Sequence, residues 1–452
     1  MVVIAYSYFR ILVAGWTTIE AMDVLRALYG QFDPARPLEV EETDLYVNWQ
    51  EEKALAPDDI KKLLARGIAR SEIPVCRMFT GHRGVGKTTE LKRVKHMLEN
   101  GEAGRPMFVS LLEVEQWLDL QDVQAPDIIF HMVRQVVDDL NDAGFPFGRA
   151  KFEQFFGEIK DLLNSEVEFQ SIKVPAGIAE FGLVLKDVPR ARPTLRRLIE
   201  GHLPTIYDLI NRVVLTNARE WLREKGLAED ILVIVDQLDR IPQKVINDQG
   251  LTNQRNIYLD RAAILRSMDC HVVYTVPIEL AFSDAHLRLK AAYGGETLLL
   301  PLIPVSLRNG ADCLQGLRAL CRIVHRRIAK TEATPEQVFE DDVLERLCRV
   351  SGGYICNVFI LLRSALERCD ELPITREVAD RTIRRQAIDL SLSLQPKHRE
   401  ALRAVHHSKA AFNDDPALWN LLLRNLMALP YEDEFGVWYD WNPLIAAVPG
   451  GV

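Results

Sequence analysis

The sequence of 452 residues predicts an α/β protein with a mainly parallel sheet, a helical lid and a C-terminal winged-helix-like domain. A glycine-rich loop at 81–88 stands between an apolar segment and an amphipathic segment. The five consecutive aliphatic residues at 231–235 are typical of a strand that is buried on both faces. Strand-like and helix-like segments alternate up to about residue 305, which indicates a parallel sheet with crossover helices.

Hydrophobic patterning defines the elements of the first two thirds of the chain. Strands are expected at 73–80, 107–112, 231–235, 270–276 and 297–302. Helices are expected at 22–29, 90–98, 126–140, 152–163 and 193–225. Residues 167–188 combine β-prone alternation with glycines and predict a hairpin or a flexible insertion, at about 166–190.

The last third of the chain is predominantly helical. Helices are expected at 318–330, 335–350, 354–369, 375–390, 400–406 and 416–429, before a hairpin at 430–441 that turns at Glu-Phe-Gly. Helices followed by a small hairpin suggest a winged helix. The predicted domains are an N-terminal extension (1–37), a core (38–305), a helical lid (306–392) and a winged-helix-like domain (393–452).

Residues 81–89 read GHRGVGKTT and form a complete phosphate-binding loop. The glycines let backbone N–H groups turn toward an anion, Lys87 can reach the β- and γ-phosphates, and Thr88 can hold Mg²⁺. A strand before the loop and a helix after it place the phosphates at a helix N-terminus, which favours negative charge. We therefore assign nucleoside triphosphate binding to Gly81, His82, Arg83, Gly84, Val85, Gly86, Lys87, Thr88 and Thr89. For Arg83, contact with phosphate or a neighbouring protomer and a plain surface role are both open.

A second candidate site follows the aliphatic run at 231–235. Asp236 ends this run, and an acid at the carboxyl end of a buried strand is where an open α/β sheet places ligand-binding groups. Carboxylate and hydroxyl oxygens suit Mg²⁺, so the sequence predicts a metal site formed by Asp236 and Thr88.

Hydrolysis also needs a group that orients or deprotonates water. The residue after Asp236 is Gln237, which cannot accept a proton but can orient water, and Asp239 is the alternative. Thr275 ends the predicted strand at 270–276 and is either a sensor of the γ-phosphate or an ordinary β-branched strand residue. The candidate catalytic residues are Lys87, Asp236, Gln237, Asp239 and Thr275. We expect an ATPase of low turnover.

The order of these motifs along the chain resembles that of known ATPases. The strings GHRGVGKTTE, VIVDQLDR and CHVVYTVP, followed by Ser351-Gly352-Gly353, resemble the STAND branch of AAA+-related ATPases, and D-x-L-D-R also resembles KAP-type P-loop ATPases. Over about residues 36–445 the chain is similar to a group of bacterial ATP-binding proteins that share the GHRG-x-GK loop and a lead-in like RPLEVEETDLYVNW. Many relatives carry an arginine after the Gly-Gly pair, whereas this chain has Cys356 and Asn357, so phosphate sensing from the lid is not expected.

The resemblance implies ATP as the nucleotide, and regulated assembly in which ATP-bound protomers form a homo-oligomer. The lack of an N-K-x-D string, which would read guanine, agrees with ATP. Tyr46, in the lead-in, is expected either to lie along the adenine ring or to belong to an arm packed on the sheet. Relatives in this broad class serve in bacterial signalling and in defence against phage.

The composition bears on the binding partners and the cellular environment to be expected. The formal net charge of −9 gives no overall attraction to nucleic acid or to anionic lipid. Seven scattered cysteines without a C-x-x-C pair indicate a reducing, cytoplasmic environment. Residues 1–16 are apolar but short and interrupted by Arg10, so we expect no stable membrane insertion.

Three functions are open from the sequence. The first is a slow ATP- and Mg²⁺-dependent switch in signalling or defence that controls assembly or a protein partner on another chain. The second is a DNA-handling ATPase of the initiator or transposition-regulator kind, which basic residues within 376–403 favour and the acidic residues 432–434 oppose. The third is a scaffold that keeps ATP without hydrolysing it, which Gln237 suggests.

Overall fold

The structure is a computed structural model that describes residues 18–52, 55–145 and 192–447. The apolar segment 1–16, the predicted helix at 152–163 and the insertion at about 166–190 lie outside the described residues. The chain divides into two compact units. We call them the loop–lid unit (1–59, 81–89 and 300–452) and the sheet unit (60–80 and 90–299) and describe each by itself.

The sheet unit contains a five-stranded parallel sheet, which confirms the predicted fold class. Its strands are β1 (Cys76–Thr80), β2 (Met107–Glu113), β3 (Asp230–Asp236), β4 (His271–Thr275) and β5 (Leu298–Leu299). They are ordered β2-β3-β4-β1-β5, and every pairing is parallel. The strand expected at 297–302 is wrong beyond Leu299, because Pro301 has no N–H to give to a ladder.

The register aligns the carboxyl ends of the strands. Glu113 of β2 pairs with Asp236 of β3, and Phe79 of β1 pairs with Thr275 of β4, so these ends lie at one edge of the sheet. Every residue of β3 and β4 is buried, which explains the uninterrupted aliphatic run at 231–235.

Helices complete the sheet unit. They are α2 (Ile60–Ala69), α3 (Lys87–Glu99), α4 (Ala125–Asp142), α5 (Arg192–Leu209), α6 (Asn217–Glu224), α7 (Asn253–Arg255), α8 (Ala262–Leu265), α9 (Ile278–Ala281) and α10 (His286–Tyr293). The first three residues of α3, 87–89, belong to the loop–lid unit. A π-helical segment, Ile210–Thr216, joins α5 to α6, so the stretch predicted at 193–225 is helical with one wider section. The buried face of α4, which includes Ile128, Met132 and Val136, packs in the same core as Val233 and Val235 of β3.

The loop–lid unit is helical with a short hairpin. Its helices are α1 (Thr18–Gln31), α11 (Leu314–Ile328), α12 (Pro335–Val338), α13 (Val343–Val350), α14 (Ile355–Leu366), α15 (Arg376–Ser391), α16 (Pro396–Ser408), α17 (Pro416–Arg424) and α18 (Pro443–Ala446). The strands β6 (Ala428–Asp433) and β7 (Gly436–Trp441) pair antiparallel and form what we call the C-terminal hairpin. The helices α16 and α17 precede it, in the order predicted for a winged helix.

Two predicted helices are corrected. The helix expected at 335–350 is split into α12 and α13, because Phe339 is extended and bridges Ile374. Asp342 then takes a left-handed backbone with φ of 65° before α13 begins. The helix expected at 416–429 ends at Arg424, and Leu426 with φ of 58° turns the chain into β6.

The core of the loop–lid unit joins the start of the chain to the helices after residue 303. Leu28, Phe32 and Trp49 are buried in one cluster with Leu320 and Phe359, and the rings of Phe32 and Phe359 stack with centroids 6.1 Å apart. The four domain boundaries inferred from the sequence remain predictions. Within the described residues, no helix combines the length and the apolar character that crossing a bilayer requires.

Candidate functional site

The phosphate-binding loop belongs to the loop–lid unit, and two of its positions require glycine for different reasons. Gly84 and Gly86 have φ of 85° and 104°, in the left-handed region that favours glycine. A Cβ atom on Gly86 would meet no atom within 4 Å, so backbone conformation alone requires glycine there. A Cβ atom on Gly84 would lie 2.5 Å from Oη of Tyr354, so that position is also crowded by the lid.

Lys87 is buried at the start of α3. Its Nζ donates to the carbonyl oxygens of Gly81 at 2.7 Å and His82 at 2.8 Å. The loop therefore gathers a positive charge and a helix N-terminus at one place, a combination that attracts phosphate. The residues present fit the triphosphate that the sequence predicts.

His82 occupies the second position of the loop and is only 2 % exposed. Its imidazole lies beside the backbone of Ala428 in β6, while Nε2 is buried with no hydrogen-bond partner. Burial and the nearby charge of Lys87 lower the pKa of His82 to about 3, against the opposing effect of the Ala428 backbone, so the ring is neutral at physiological pH. Arg83, the next residue, is exposed.

The lid and the lead-in also contact the loop. Tyr354, just before α14, donates its hydroxyl to the carbonyl oxygen of Arg83. The backbone N–H of Leu38 donates to Oγ1 of Thr89 at 3.1 Å. Tyr46 is half-buried and its carbonyl oxygen accepts from Arg326 of α11, so its proposed contact with adenine stays a prediction.

The second candidate site lies in the sheet unit. Asp236 is the last residue of β3 and is 1 % exposed, and its Oδ1 accepts the N–H of Gln237 at 2.7 Å. A carboxylate at the end of a strand is a suitable hard ligand for Mg²⁺. The shared metal site of Asp236 and Thr88 stays a prediction.

Gln237 has an unusual backbone and an occupied side chain. Its φ is 68°, a left-handed conformation that is uncommon for a residue other than glycine. Its Nε2 donates to Oε2 of Glu113, and its Oε1 accepts the N–H of Glu115, both at 3.3 Å. Asp239 is half-buried in the single 3₁₀ turn that follows.

Thr275 is fully buried at the end of β4. Its Oγ1 accepts the N–H of Leu238 at 3.0 Å and donates to the carbonyl oxygen of Val235 at 3.3 Å. The hydroxyl thus hydrogen-bonds the turn that follows Asp236 to the end of β4. A sensor role for Thr275 remains a prediction beside this structural one.

Sequence reasoning included His82 in the loop but missed its burial, and it missed Glu113 altogether. The burial of His82 leaves no local signal, because its contact is 346 positions away in the chain. Glu113 had a signal, since it follows the apolar stretch 107–112 just as Asp236 follows 231–235. Only the register of β2 and β3 shows that the two acids end neighbouring strands side by side.

No protein-family model and no curated protein matches the sequence. Among solved structures, the chain is similar to the ORC2 protein of Aeropyrum pernix in ADPNP–ADP complexes, with 12% identity over 88% of this chain and 93% of that chain and a TM-score of 0.40. It is similar to the ORC1 protein of Aeropyrum pernix in complex with DNA, with 12% identity over 87% and 92% and a TM-score of 0.36. For CDC6P from Pyrobaculum aerophilum the values are 11% identity, 92% and 95%, and 0.35. Such distant likenesses carry no argument about the function of this chain.

Thr275→Val tests whether the hydroxyl is structural. The change keeps the shape of the side chain but leaves the buried N–H of Leu238 without its acceptor, so we expect a loss of about 1–3 kcal/mol in the free energy of unfolding. Thr275→Ser, which keeps the hydroxyl, is the control and is measured beside it by urea unfolding without nucleotide. Unchanged stability of Thr275→Val would show that the hydroxyl serves another purpose.

Proposed function

We propose that the chain is an ATP-binding, Mg²⁺-dependent P-loop ATPase of the AAA+ type that acts as a slow switch. In this proposal the switch controls self-assembly or a protein partner on another chain. The single observation that carries the proposal is that the phosphate-binding loop contacts both the lid, through the Tyr354 side chain, and the C-terminal hairpin, through the backbone of Ala428. A role in signalling or defence rests on the resemblance of the sequence motifs alone.

Three contacts connect the loop, the lid and the C-terminal hairpin. The imidazole of His82 lies beside the backbone of Ala428 in β6, and Tyr354 of the lid is hydrogen-bonded to Arg83. Tyr431 of β6 donates its hydroxyl to the carbonyl oxygen of Gly352 in the lid at 2.7 Å. The hairpin is therefore connected to the loop both directly and through the lid.

Phosphate binding acts on the same residue that meets the hairpin. Lys87 donates to the carbonyl oxygen of His82, whose side chain lies beside the backbone of β6. Phosphate oxygens compete for the ammonium group, so we expect ligand binding to shift the backbone of His82. A ligand moves such an equilibrium by its difference in affinity for the two arrangements, and a second copy or a partner protein then reads the hairpin and lid.

Tyr431→Phe tests this connection. The change removes the bond to Gly352 but no residue of the loop, so we expect ATP affinity to stay within about threefold, less than 1 kcal/mol. In the native chain ATP should change amide hydrogen exchange in residues 428–441, and this change should shrink or disappear in the variant. Tyr29→Phe, which removes a hydroxyl bonded to Glu367, is the matched control and should respond like the native chain. Equal responses in all three proteins would contradict the connection.

Lys87→Ala and Asp236→Asn test the nucleotide site itself. Loss of the ammonium group should weaken ATP binding about 10- to 100-fold, the equivalent of about 1.5–3 kcal/mol for a hydrogen bond to a charged group. Asp236→Asn should retain ATP but lose Mg²⁺-dependent phosphate release. Calorimetry measures the first and a phosphate assay the second, with the exposed Lys290→Ala as control. Native protein that ignores ATP would refute the proposal, and ATP binding without phosphate release would favour the scaffold.

DNA handling is the second candidate, and the surface of α15 and α16 favours it. Exposed basic side chains on these helices include Arg376, Arg381, Arg384, Arg385, Lys397 and Arg403. The acidic hairpin opposes DNA less than its sequence suggests, because Arg308 binds Asp433 with contacts of 2.9 and 2.7 Å.

A salt titration with duplex DNA tests this candidate. A DNA-binding protein should lose affinity steeply as salt rises, and Arg384→Ala should reduce the slope of log K against log salt by about 1. Lys290→Ala, a basic residue of the sheet unit, is the control. The absence of binding at low salt would remove this candidate.

A further inference from the structure

The strand β2 ends in an acid that lies outside the residues assigned so far to the proposed ATPase site. Glu113 is the last residue of β2 and the register partner of Asp236 on β3. Because the two strands are parallel and in register, both carboxylates lie at the same edge of the sheet. The edge thus carries two acids side by side, one of which is the proposed Mg²⁺ ligand.

Polar neighbours hold the Glu113 carboxylate in place. Its Oε2 accepts from Nε2 of Gln237 at 3.3 Å and from Nε2 of Gln116 at 3.4 Å, and Oε1 lies 3.8 Å from Nζ of Lys92. The side chain is 25 % exposed, so it is fixed by its neighbours and still reachable by water.

Both polar atoms of the Gln237 side chain are already hydrogen-bonded to other residues. Its amide nitrogen donates to Glu113 and its amide oxygen accepts the N–H of Glu115. An amide also cannot take up a proton at neutral pH. The edge of the sheet therefore presents an acid and an amide as a bonded pair, with the acid on β2 and the amide on β3.

We propose that Glu113, and not Gln237, is the carboxylate that activates water for ATP hydrolysis. This inference rests on the proposed function. The water oxygen bonds to the γ-phosphorus while the bond from that phosphorus to the bridging oxygen breaks, which yields ADP and phosphate. The water proton passes to Glu113 and then leaves with the phosphate or to solvent. Gln237 is a positioning residue that aims the carboxylate through its amide nitrogen.

The decisive experiment exchanges the two side chains. Glu113→Gln should lower the rate of phosphate release about 10²- to 10⁴-fold, the usual contribution of a general base. Its ATP affinity should stay within about threefold of the native value. After incubation and rapid gel filtration, the native protein should carry ADP and Glu113→Gln should carry ATP. The double variant Glu113→Gln/Gln237→Glu restores one acid and one amide in exchanged places and should recover at least about tenfold of the lost rate, about 1.4 kcal/mol.

Glu115→Gln is the matched control, because Glu115 lies two residues away and its carboxylate pairs with Arg240 instead. Thermal unfolding of each variant confirms that it is folded. The inference is overturned if Glu113→Gln keeps native turnover, if Glu115→Gln is equally impaired, or if the exchanged pair is as inactive as Glu113→Gln. Native protein that binds ATP but releases no phosphate also overturns it. Native protein that binds no ATP at all refutes the proposed function instead, so the two failures are distinguishable.

Discussion

A buried ammonium group must find acceptors, and this constraint shapes the phosphate-binding loop. Lys87 meets it with the carbonyl oxygens of Gly81 and His82, which the curled backbone turns inward. That curl requires left-handed glycines at 84 and 86. The side chain of His82 then faces β6 and the carbonyl oxygen of Arg83 faces the lid. The contacts that join loop, lid and hairpin thus follow from how one charge is satisfied.

A different constraint organises the edge of the sheet. The interiors of β3 and β4 are fully buried, so charged groups are confined to the strand ends. Asp236, Glu113 and Thr275 lie there, and each is bonded to the turn after β3. The left-handed backbone of Gln237 is held by these bonds, and such strain persists only where the surroundings fix it. Hydrogen bonds therefore hold Glu113 and Gln237 in fixed positions at this edge.

Local chemistry explains which features were predictable from the sequence. The loop at 81–89 and the strand at 231–235 follow from glycine spacing and from an unbroken aliphatic run, and both are local signals. The break between α12 and α13 was not predictable, because it depends on a bridge from Phe339 to Ile374. The burial of His82 likewise depends on β6, far along the chain. Features made by distant pairing leave no periodicity to read.

The same contacts that connect loop and hairpin bear on the expected rate. In the proposed switch, a loop held by Tyr354 and His82 exchanges some of these contacts when phosphate enters, and the apparent affinity is reduced by the fraction of molecules in the arrangement that binds. Slow turnover therefore needs no missing catalytic acid. An ATPase can possess its carboxylate, which we propose to be Glu113, and still be slow because its loop is engaged elsewhere. Low turnover is therefore compatible with the proposed carboxylate at this edge of the sheet. Low turnover suits a switch better than a motor.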